Sequence, residues 1–388
     1  MRSSLSFEKF ISEKPLYYKE IDHNRVKVAY ERLKPHIRRP LTIHVVGTNG
    51  KGSTGRIMAT LLHSSGKRVG HFSSPHILKF NERIWIEGED SSDEILEEAH
   101  QKLYQILGQE QSEGLSYFEY TTLLAFVATE RVDVMILEAG LGGEFDATNV
   151  VAKELSVITP IGIDHQAFLG DNIESIARTK LNSVEQEFLL GLQVYDEVYT
   201  IAEEIAQEKG AKLNRVTEEL DKKLWDYCEE MGWADYLYEN AKLAITALEI
   251  LNLPYTLESI REVQLFGRFY PLLPNVTIDV GHNLLATKRV VKALDKRFPN
   301  EEVILVYNGL DDKDYEGILE IFKNRVSAVE ILEIETQRAT NIEDIYKTLD
   351  KLNIQSRAFS GIDSNHNYLV FGSFYLIESF LKEIKYNK

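Results

Sequence analysis

Short apolar runs alternate with amphipathic segments over the first 160 residues of the chain. Each apolar run is long enough for one buried strand, and the runs span residues 41–46, 68–72, 132–138 and 155–159. The amphipathic segments have helical spacing and span residues 55–65, 92–107 and 119–130. This alternation predicts an α/β fold whose parallel sheet is covered by helices on both faces, with ligands at the carboxyl ends of the strands.

A second alternating block follows a mostly helical and acidic stretch at residues 171–250. The strands of this block are expected near residues 275–279, 302–307, 328–334 and 367–371. Turn residues at 252–254 come before it and place a domain boundary near residues 255–265. We therefore expect an N-terminal domain of residues 1–258 with the parallel sheet, and a smaller α/β C-terminal domain of residues 259–388.

A glycine-rich segment, Gly-Thr-Asn-Gly-Lys-Gly-Ser-Thr at residues 47–54, joins the first predicted strand to the first predicted helix. Its glycines let backbone N–H groups approach an anion, Lys51 adds a positive charge, and the helix N-terminus directs unpaired donors to the same place. Only two residues separate Gly47 from Gly50, so the spacing differs from that of the usual P-loop. A turn without a ligand is the alternative, but the position between strand and helix favours a cradle for nucleotide phosphates.

The composition of the chain argues against several classes of protein. The formal net charge of the 388 residues is −17, which argues against a nucleic-acid surface. The single cysteine, Cys228, cannot form an internal disulfide, and this fits a reducing compartment. No apolar stretch reaches about 18 residues, and the N-terminus lacks the apolar segment of a secretion signal. We expect a cytoplasmic enzyme with no nucleic-acid partner and no membrane partner.

Polar side chains follow three of the predicted strands. Glu138 stands between a buried strand and the flexible Ala-Gly-Leu-Gly-Gly, where a magnesium ion on nucleotide phosphates needs an oxygen ligand. A capping or surface carboxylate is the alternative. His165 follows the strand at 155–159, and Ser74 follows the strand at 68–72. Taken alone, the histidine would be a structural residue and the serine would belong to an ordinary turn.

Ordered motifs extend over nearly the whole chain. They are GTNGKGS (47–53), SSPH (73–76), NERI (81–84), EAGLGGEFDATNV (138–150), DHQAFLG (164–170), IARTK (176–180), ENAKLAITALEIL (239–251), GRF (267–269), DVGHN (279–283), DDKD (311–314), QRAT (337–340) and GSFYL (372–376). Their order resembles the folylpolyglutamate synthase and dihydrofolate synthase branch of the Mur ligase family. The resemblance implies a P-loop-containing, Mur-ligase-like N-terminal domain that binds ATP and a folate or pterin, and a C-terminal α/β ligase domain.

The resemblance also assigns roles to individual residues. ATP phosphates would be held by Gly50, Lys51, Gly52 and Ser53. The nucleotide would further be bound by Asn240, Arg268, Asp279 and His282. Magnesium would be bound by Ser74, Glu138, His165 and Lys180. Lys51 joins Glu138, His165 and Lys180 as a catalytic residue.

Lys180 matches the lysine that this family carries as a carbamate, and physical reasoning agrees. Nearby dications would repel an ammonium group, whereas a neutral amine that has taken up carbon dioxide becomes an anionic oxygen ligand. Without the resemblance, Lys180 would be a solvated helix residue. The chain departs from the family pattern in Leu-Asn-Ser at 181–183, in Glu144 where arginine is common, and in a short segment 181–240, which predicts the loss of a sheet edge.

Two segments resemble the dihydropteroate-contacting segments of the family. They are Tyr117-Phe118-Glu119 and Phe145-Asp146-Ala147. The alternative is core packing for the aromatic residues and helix capping for the acids. Arg83 is one of the basic residues near the site in sequence that would offset the charge of anionic substrates in an acidic protein.

The implied function is ATP-dependent amide ligation through an acyl phosphate. L-Glutamate would be joined to dihydropteroate, giving dihydrofolate, and to reduced folates. ATP and Mg²⁺ are the implied cofactors, with a carbamylated Lys180 and K⁺ as further candidates, and we expect a monomer. The alternatives are an enzyme with only one of the two activities, a ligase of another acid, and a nucleotide-binding protein without turnover.

Overall fold

The computed structural model of the chain describes residues 5–15, 22 and 24–386. The chain divides into two compact units. The first unit runs to Asp221 and also includes Glu239–Val263, while the second comprises Lys222–Tyr238 and the chain from Gln264 onward. The short stretch 222–238 therefore groups with the second unit, and the assignment of separate functions to two domains divided at residue 258 stays a prediction.

The first unit contains an eight-stranded sheet with the strand order β4-β3-β2-β5-β1-β6-β7-β8. Its strands are β1 (Leu41–Val46), β2 (Val69–Phe72), β3 (Ile84–Ile86), β4 (Glu89–Asp90), β5 (Val134–Glu138), β6 (Leu155–Ile158), β7 (Glu187–Leu190) and β8 (Lys212–Arg215). All neighbouring strands are parallel except in the pairs β2–β3 and β3–β4. The carboxyl ends of β5, β1 and β6 consequently lie side by side at the centre of one sheet edge.

Eleven helices are described up to residue 250. They are α1 (Phe7–Ser12), α2 (Arg25–Leu33), α3 (Lys51–Ser64), α4 (Asp93–Leu107), α5 (Gln109–Gly114), α6 (Tyr117–Ala128), α7 (Gln166–Leu169), α8 (Ile173–Leu181), α9 (Asp196–Lys209), α10 (Lys222–Glu230) and α11 (Asp235–Ile250). Helix α10 lies in the second unit, and α11 begins there and continues in the first.

Two apolar clusters stabilise the first unit. One joins α1, α2, α4 and α6 to β2 and β5, and the other joins α8 and α9 to β6 and β7. Helix α6 is apolar around most of its circumference, as expected for a helix buried on several sides. Side chains on β2 alternate between the faces of the sheet, since Phe72 packs in the first cluster while His71 approaches Gly55 of α3.

The second unit contains a six-stranded sheet with the order β13-β12-β11-β14-β10-β9. Its strands are β9 (Tyr270–Leu273), β10 (Val276–Asp279), β11 (Val303–Tyr307), β12 (Ala328–Ile331), β13 (Gln355–Ala358) and β14 (Asn367–Phe371). Its further helices are α12 (Leu284–Arg297), α13 (Tyr315–Phe322), α14 (Ile342–Leu352) and α15 (Phe374–Glu383). Only the edge strand β9 runs antiparallel to its neighbour.

The predicted α/β class is confirmed, and each apolar run named above contains a strand. The expectation that the first sheet has lost an edge is wrong, because β7 and β8 extend it beyond β6. Both strands have only four residues, and the edge strand β8 has the polar sequence Lys-Leu-Asn-Arg, so neither produces a long apolar run. Across the described residues, no helix is both long enough and apolar enough to cross a bilayer.

Candidate active site

The glycine loop follows β1 and leads into α3, and two of its glycines are required by close packing. Gly47 has φ +155°, and a Cβ atom there would lie 1.9 Å from Oγ1 of Thr159. Gly50 has a left-handed φ of +87°, and its Cβ would lie 2.6 Å from Oδ1 of Asn240. The backbone N–H of Thr48 donates to the carbonyl of Pro160 over 3.0 Å. The end of β6 and helix α11 therefore fix the path of the loop.

Two buried polar side chains at this loop have an atom that no described residue satisfies. Ser53 is 2% exposed, and its Oγ has no hydrogen-bond partner among the described residues. Asn240 is 1% exposed, and its Nδ2 likewise has no partner among them. Buried polar groups are nearly always hydrogen-bonded in folded proteins. The loop, the N-terminus of α3 and these two side chains therefore fit a phosphate-bearing ligand.

A lysine, a carboxylate and a backbone donor meet beside the loop. The register of β1 and β5 pairs Val45 with Glu138, so this carboxylate ends its strand next to the loop. Its Oε1 lies 3.9 Å from Nζ of Lys51, and its Oε2 accepts the backbone N–H of Ser74 over 3.2 Å. The structure thus brings together Lys51, Glu138 and Ser74, which come from three separate motifs of the sequence.

Lys180 is buried at the same place, on α8. Its Nζ donates to the carbonyl of Gly47 over 2.9 Å. Burial, and then the nearby charge of Lys51, lower the pKa of Lys180 to about 7, although Asp164 and Asp146 act in the opposite direction. The Lys180 amine is therefore partly neutral near pH 7, unlike an ordinary surface lysine.

The residues around Lys180 form hydrogen bonds with one another and with the loop after β5. Nδ2 of Asn182 donates to Oε2 of Glu144 over 2.9 Å, and the backbone N–H of Glu144 donates to the carbonyl of Thr179. Oγ of Ser183 donates to the carbonyl of Lys180 over 2.6 Å. Glu144 therefore joins the loop after β5 to the end of α8, where Lys180 is buried.

His165 lies after β6 and immediately before α7. It adopts a left-handed conformation with φ +53°, and its backbone N–H donates to Oδ1 of Asp164 over 2.8 Å. Among the described residues, no three His, Cys, Asp or Glu side chains come close enough together to hold a metal on their own. A magnesium ion here would depend on phosphate oxygens and water for part of its coordination, which is its usual mode of binding to nucleotides.

Tyr117 and Phe118 open helix α6 and contact residues from other motifs. The Arg83 guanidinium lies 5.3 Å from the centre of the Tyr117 ring, and its Nε donates to Nδ1 of His76 over 2.8 Å. Burial and the charge of Arg83 lower the pKa of His76 to about 4, so its ring stays neutral and accepts this bond. A Cβ on Gly140 would lie 2.4 Å from the Phe118 ring, so the loop after β5 packs directly on this aromatic residue.

Glu119 and Asp146, the two acidic residues predicted for the substrate site, accept hydrogen bonds from backbone and side-chain donors. Oε2 of Glu119 accepts the backbone N–H of Ser116 over 2.7 Å and Nε of Arg25 over 3.0 Å. Asp146 is buried, which raises its pKa, and it accepts the backbone N–H groups of Leu141 and Thr148. These bonds give both acids a structural role in shaping the turns that carry their neighbours.

The neighbours of Asp146 differ in exposure. Ala147 is buried, whereas Phe145 is 53% exposed in the loop after β5. Phe145 lies on the loop that follows Glu138, and the backbone N–H of its neighbour Glu144 donates to the carbonyl of Thr179, the residue before Lys180. An exposed aromatic ring on this loop is suited to contact with a flat ligand.

The nucleotide residues predicted in the second unit surround the carboxyl end of β10. Asp279 is buried, and its oxygens accept Oη of Tyr236 (2.7 Å), the backbone N–H of Phe269 (2.8 Å) and the backbone N–H of Gly281 (2.7 Å). Burial raises the pKa of Asp279, against the opposing effect of Tyr236 and Arg268. The carboxylate therefore organises the ends of two neighbouring segments within this unit.

Arg268 and His282 lie on those segments. The Arg268 guanidinium stacks 5.2 Å from the centre of the Phe374 ring, and Nδ1 of His282 lies 3.0 Å from the carbonyl of Val280. Asn283, next in the chain, caps α12 by accepting the backbone N–H of Ala286. The second unit thus places Arg268, Asp279 and His282 together at one end of its sheet.

Sequence reasoning missed several residues that shape this site. Thr159 and Pro160 fix the glycine loop, His76 binds Arg83, and Arg25 binds Glu119. Thr159 and Pro160 follow an apolar strand, which is a signal that sequence reasoning could have used. Arg25 lies 94 residues from its partner, and no local pattern indicates that pairing.

These features define a class of protein: an α/β nucleotide-binding protein with the fold of the Mur-type ligases. The crystal structure of folylpolyglutamate synthetase from Helicobacter pylori shares 39% sequence identity with this chain, covers 97% of both chains and has a TM-score of 0.79. A bifunctional folylpolyglutamate synthase/dihydrofolate synthase with Mn, AMPPNP and L-glutamate bound shares 27% identity over 99% of both chains, with a TM-score of 0.83.

A curated relative agrees with the solved structures. The dihydrofolate synthase/folylpolyglutamate synthase of Escherichia coli K12 is 32% identical over 400 residues, which cover 95% of this chain and 93% of the relative. No protein-family model matches the chain. The chain belongs to the dihydrofolate synthase/folylpolyglutamate synthase family.

Gly47→Ala tests the cradle. The added Cβ would meet Thr159 at 1.9 Å, and the backbone conformation is strained for any L-residue, so the loop must move. We expect ATP affinity, measured by isothermal titration calorimetry, to fall by about tenfold or more, since such strain costs about 1–3 kcal/mol. Gly114→Ala is the matched control, because its Cβ meets nothing within 4 Å. Equal ATP affinity of the two variants would contradict the proposed cradle.

Proposed function

We propose that this protein is an ATP-dependent amide ligase that joins L-glutamate to dihydropteroate and to reduced folates. The observation that carries the proposal is the set of buried, unsatisfied donors at the glycine loop, beside Lys51 and Glu138. Membership of the dihydrofolate synthase/folylpolyglutamate synthase family supports the same reaction. The solved relative that holds AMPPNP, Mn and L-glutamate supports a nucleotide, a divalent metal and glutamate as ligands.

The reaction requires activation of a carboxylate. A carboxylate is a poor electrophile because its charge is delocalised and its leaving group would be oxide. Transfer of the γ-phosphoryl group of ATP gives an acyl phosphate, from which the glutamate amine can displace phosphate. The products are ADP, phosphate and one new amide bond.

Among the residues assigned to the ATP phosphates, Lys51 carries the positive charge and the others offer hydrogen-bond donors. We assign Gly50, Gly52 and Ser53 to the phosphates of ATP, with Lys51 placed to stabilise negative charge on the transferred group. Asn240 would bind the nucleotide through its unsatisfied Nδ2. In the second unit, Arg268 and His282 are assigned to the nucleotide, and Asp279 is assigned to holding the segments that carry them.

The metal is assigned to four groups of the chain. Ser74 and Glu138 are already in contact through the serine N–H, and Lys180 and His165 complete the assigned set. Magnesium, when bound, polarises the phosphoryl oxygens and neutralises their charge. The chain's own contribution is a buried carboxylate fixed at the end of β5, which is oriented before any ligand arrives.

Lys180 is assigned as a carbamate. Only a neutral amine reacts with carbon dioxide, and the lowered pKa of Lys180 supports a substantial neutral fraction near pH 7. The carbamate would turn the buried Lys180 amine into an anionic ligand, which would remove the charge repulsion between the Lys180 and Lys51 ammonium groups. The hydrogen bonds around residues 179–183 support a fixed position for this side chain.

The acid substrate is assigned to the start of α6 and the loop after β5. Tyr117, Phe118 and Phe145 offer ring faces for a flat pterin, and Arg83 adds a buried positive charge beside Tyr117. Glu119, Asp146 and Ala147 are assigned to shaping these two segments. A potassium site and a monomeric state stay predictions from the sequence.

Phosphate release from ATP tests the proposed function directly. The assay contains magnesium and L-glutamate and is run in parallel with dihydropteroate and with tetrahydrofolate. We expect release with both acids, together with mass-spectrometric detection of the glutamylated products. Release with only one acid would indicate a monofunctional enzyme. ATP binding without release with either acid would contradict the proposal and would favour another acid substrate or a protein without turnover.

Lys180→Ala is expected to abolish turnover while leaving the fold intact, because the variant lacks the proposed anionic ligand. A short-chain carboxylate added to the assay should restore part of the activity by supplying an oxygen ligand. In the wild-type protein, ¹³C-labelled bicarbonate should give a carbamate signal by NMR that the variant lacks. Wild-type turnover in the variant would exclude a carbamate ligand at this position.

Arg83→Ala is expected to raise KM for the folate more than KM for ATP. The guanidinium stacks on Tyr117 and binds His76, and both contacts belong to the proposed acid site. Arg32→Ala is the control, since Arg32 is an exposed arginine of the same unit whose Nη1 reaches Gln111. Steady-state kinetics with each substrate varied in turn measure the effect. Equal changes in both KM values would reject a role specific to the folate.

A further inference from the structure

The beginning of the chain contacts the turn that opens helix α6. We call residues 5–15 the N-terminal arm, and the turn is Ser116–Glu119. This turn carries Tyr117 and Phe118, the two aromatic residues assigned to the acid substrate. The arm contacts this turn and the residues before it, and Arg25 also contacts the turn.

Lys14 is the main contact from the arm. Its Nζ donates to the carbonyls of Ser112 and Leu115, both over 2.7 Å, and lies 3.4 Å from the carbonyl of Glu113. Lys14 is 9% exposed, and burial lowers its pKa to about 8, so it still carries its charge at neutral pH. One ammonium group thereby contacts three backbone carbonyls of the segment that leads into α6.

The next two contacts act on the turn itself. The carbonyl of Pro15 accepts the backbone N–H of Tyr117 over 3.1 Å. The guanidinium of Arg25 donates two hydrogen bonds to the Glu119 carboxylate. Nε donates to Oε2 over 3.0 Å, and Nη2 donates to Oε1 over 3.2 Å. A paired arginine and carboxylate of this kind fixes orientation as well as distance.

The arm is itself held by the core of the first unit. His100, which is fully buried, places Nδ1 2.7 Å from Oη of Tyr120 and Nε2 2.9 Å from the carbonyl of Leu5. The Phe10 ring lies 4.7 Å from the Tyr120 ring. Because Tyr120 is one residue beyond the turn, the arm and the turn share one anchoring point.

Helix initiation by itself does not require these charges. Ser116 and Glu119 already form a capping box, in which Ser116 accepts the N–H of Glu119 and Glu119 accepts the N–H of Ser116. A buried lysine and an arginine–glutamate pair carry a desolvation cost that an apolar contact would avoid. Lys14, Pro15 and Arg25 instead add hydrogen bonds to the backbone and to Glu119 where the first two side chains of α6 begin.

We propose that Lys14 and Arg25 are positioning residues for the acid substrate, which hold Tyr117 and Phe118 in the orientation that binds the pterin. The proposal rests on the proposed function. Neither residue is assigned a contact with the substrate. Their effect passes through the backbone of residues 112–117 and through Glu119.

The test uses Lys14→Met and Arg25→Gln in the full chain. Lys14→Met keeps the length and apolar contacts of the side chain, and Arg25→Gln keeps polarity but loses the charge. Lys102→Met is the matched control, because Lys102 is a lysine of the same unit that pairs with Glu130 away from this turn. Pterin binding is measured by the fluorescence of dihydropteroate, and ATP binding is measured separately by calorimetry.

We expect Lys14→Met and Arg25→Gln to weaken dihydropteroate binding by about tenfold or more, since small misplacements at a site have effects of this size. ATP affinity should change by less than about twofold, and the Lys102→Met variant should match the wild type in both assays. Arg25→Lys should restore only part of the affinity, because lysine cannot bind Glu119 through two nitrogens. Arg25→Gln combined with Glu119→Gln should cost less than the sum of the single changes.

Three results would overturn the proposal. The first is wild-type pterin affinity in both positioning variants. The second is an equal loss of pterin and ATP affinity, which would indicate general destabilisation. The third is additive behaviour of the Arg25 and Glu119 changes. If Lys14→Met does not fold, the Arg25 variants and the double change with Glu119→Gln test the proposal by themselves. A wild-type protein that binds ATP but no pterin would contradict the proposed function, and this inference with it.

Discussion

The close packing of the glycine loop against the end of β6 is the constraint on which the site depends. Gly47 lies so near Thr159 that no side chain fits, and the same residue offers its carbonyl to Lys180. The loop, β6 and α8 are therefore fixed together by one residue without a side chain. Because β5 is the neighbour of β1 on the other side, Glu138 joins the same group. The central strands thus bring three distant motifs and the end of β6 to one place.

Burial and neighbouring charges determine the charge state of Lys180 at the glycine loop. The chain is strongly acidic overall, yet the buried Lys180 and the partly buried Lys51 lie close together at the cradle. Burial and mutual repulsion favour the neutral form of the Lys180 amine, while Glu138 stays beside Lys51. A site that combines the Lys51 ammonium with buried, unsatisfied polar groups is suited to the phosphates of a nucleotide. The overall charge of the protein does not indicate this local arrangement.

Several acids at strand and helix ends shape the backbone around the site. Asp146, Glu119 and Asp279 each accept backbone N–H groups of residues close to them in sequence. Such bonds fix loops that would otherwise exchange among conformations, and they orient side chains such as Phe145 and Tyr117. The hydrogen bond from Asn182 to Glu144 serves the same purpose, since it joins the loop after β5 to the end of α8.

The sequence alone determined the α/β class, the glycine loop and the family motifs, because strand periodicity and short motifs are local properties of the chain. It did not indicate β8, whose polar residues lie at a sheet edge and bury little surface. Only the tertiary structure decided that Thr159 closes on Gly47, that Lys180 is buried beside Lys51, and that Arg25 holds Glu119. These contacts join residues far apart in sequence, and the pKa of a lysine depends on the groups that folding places around it.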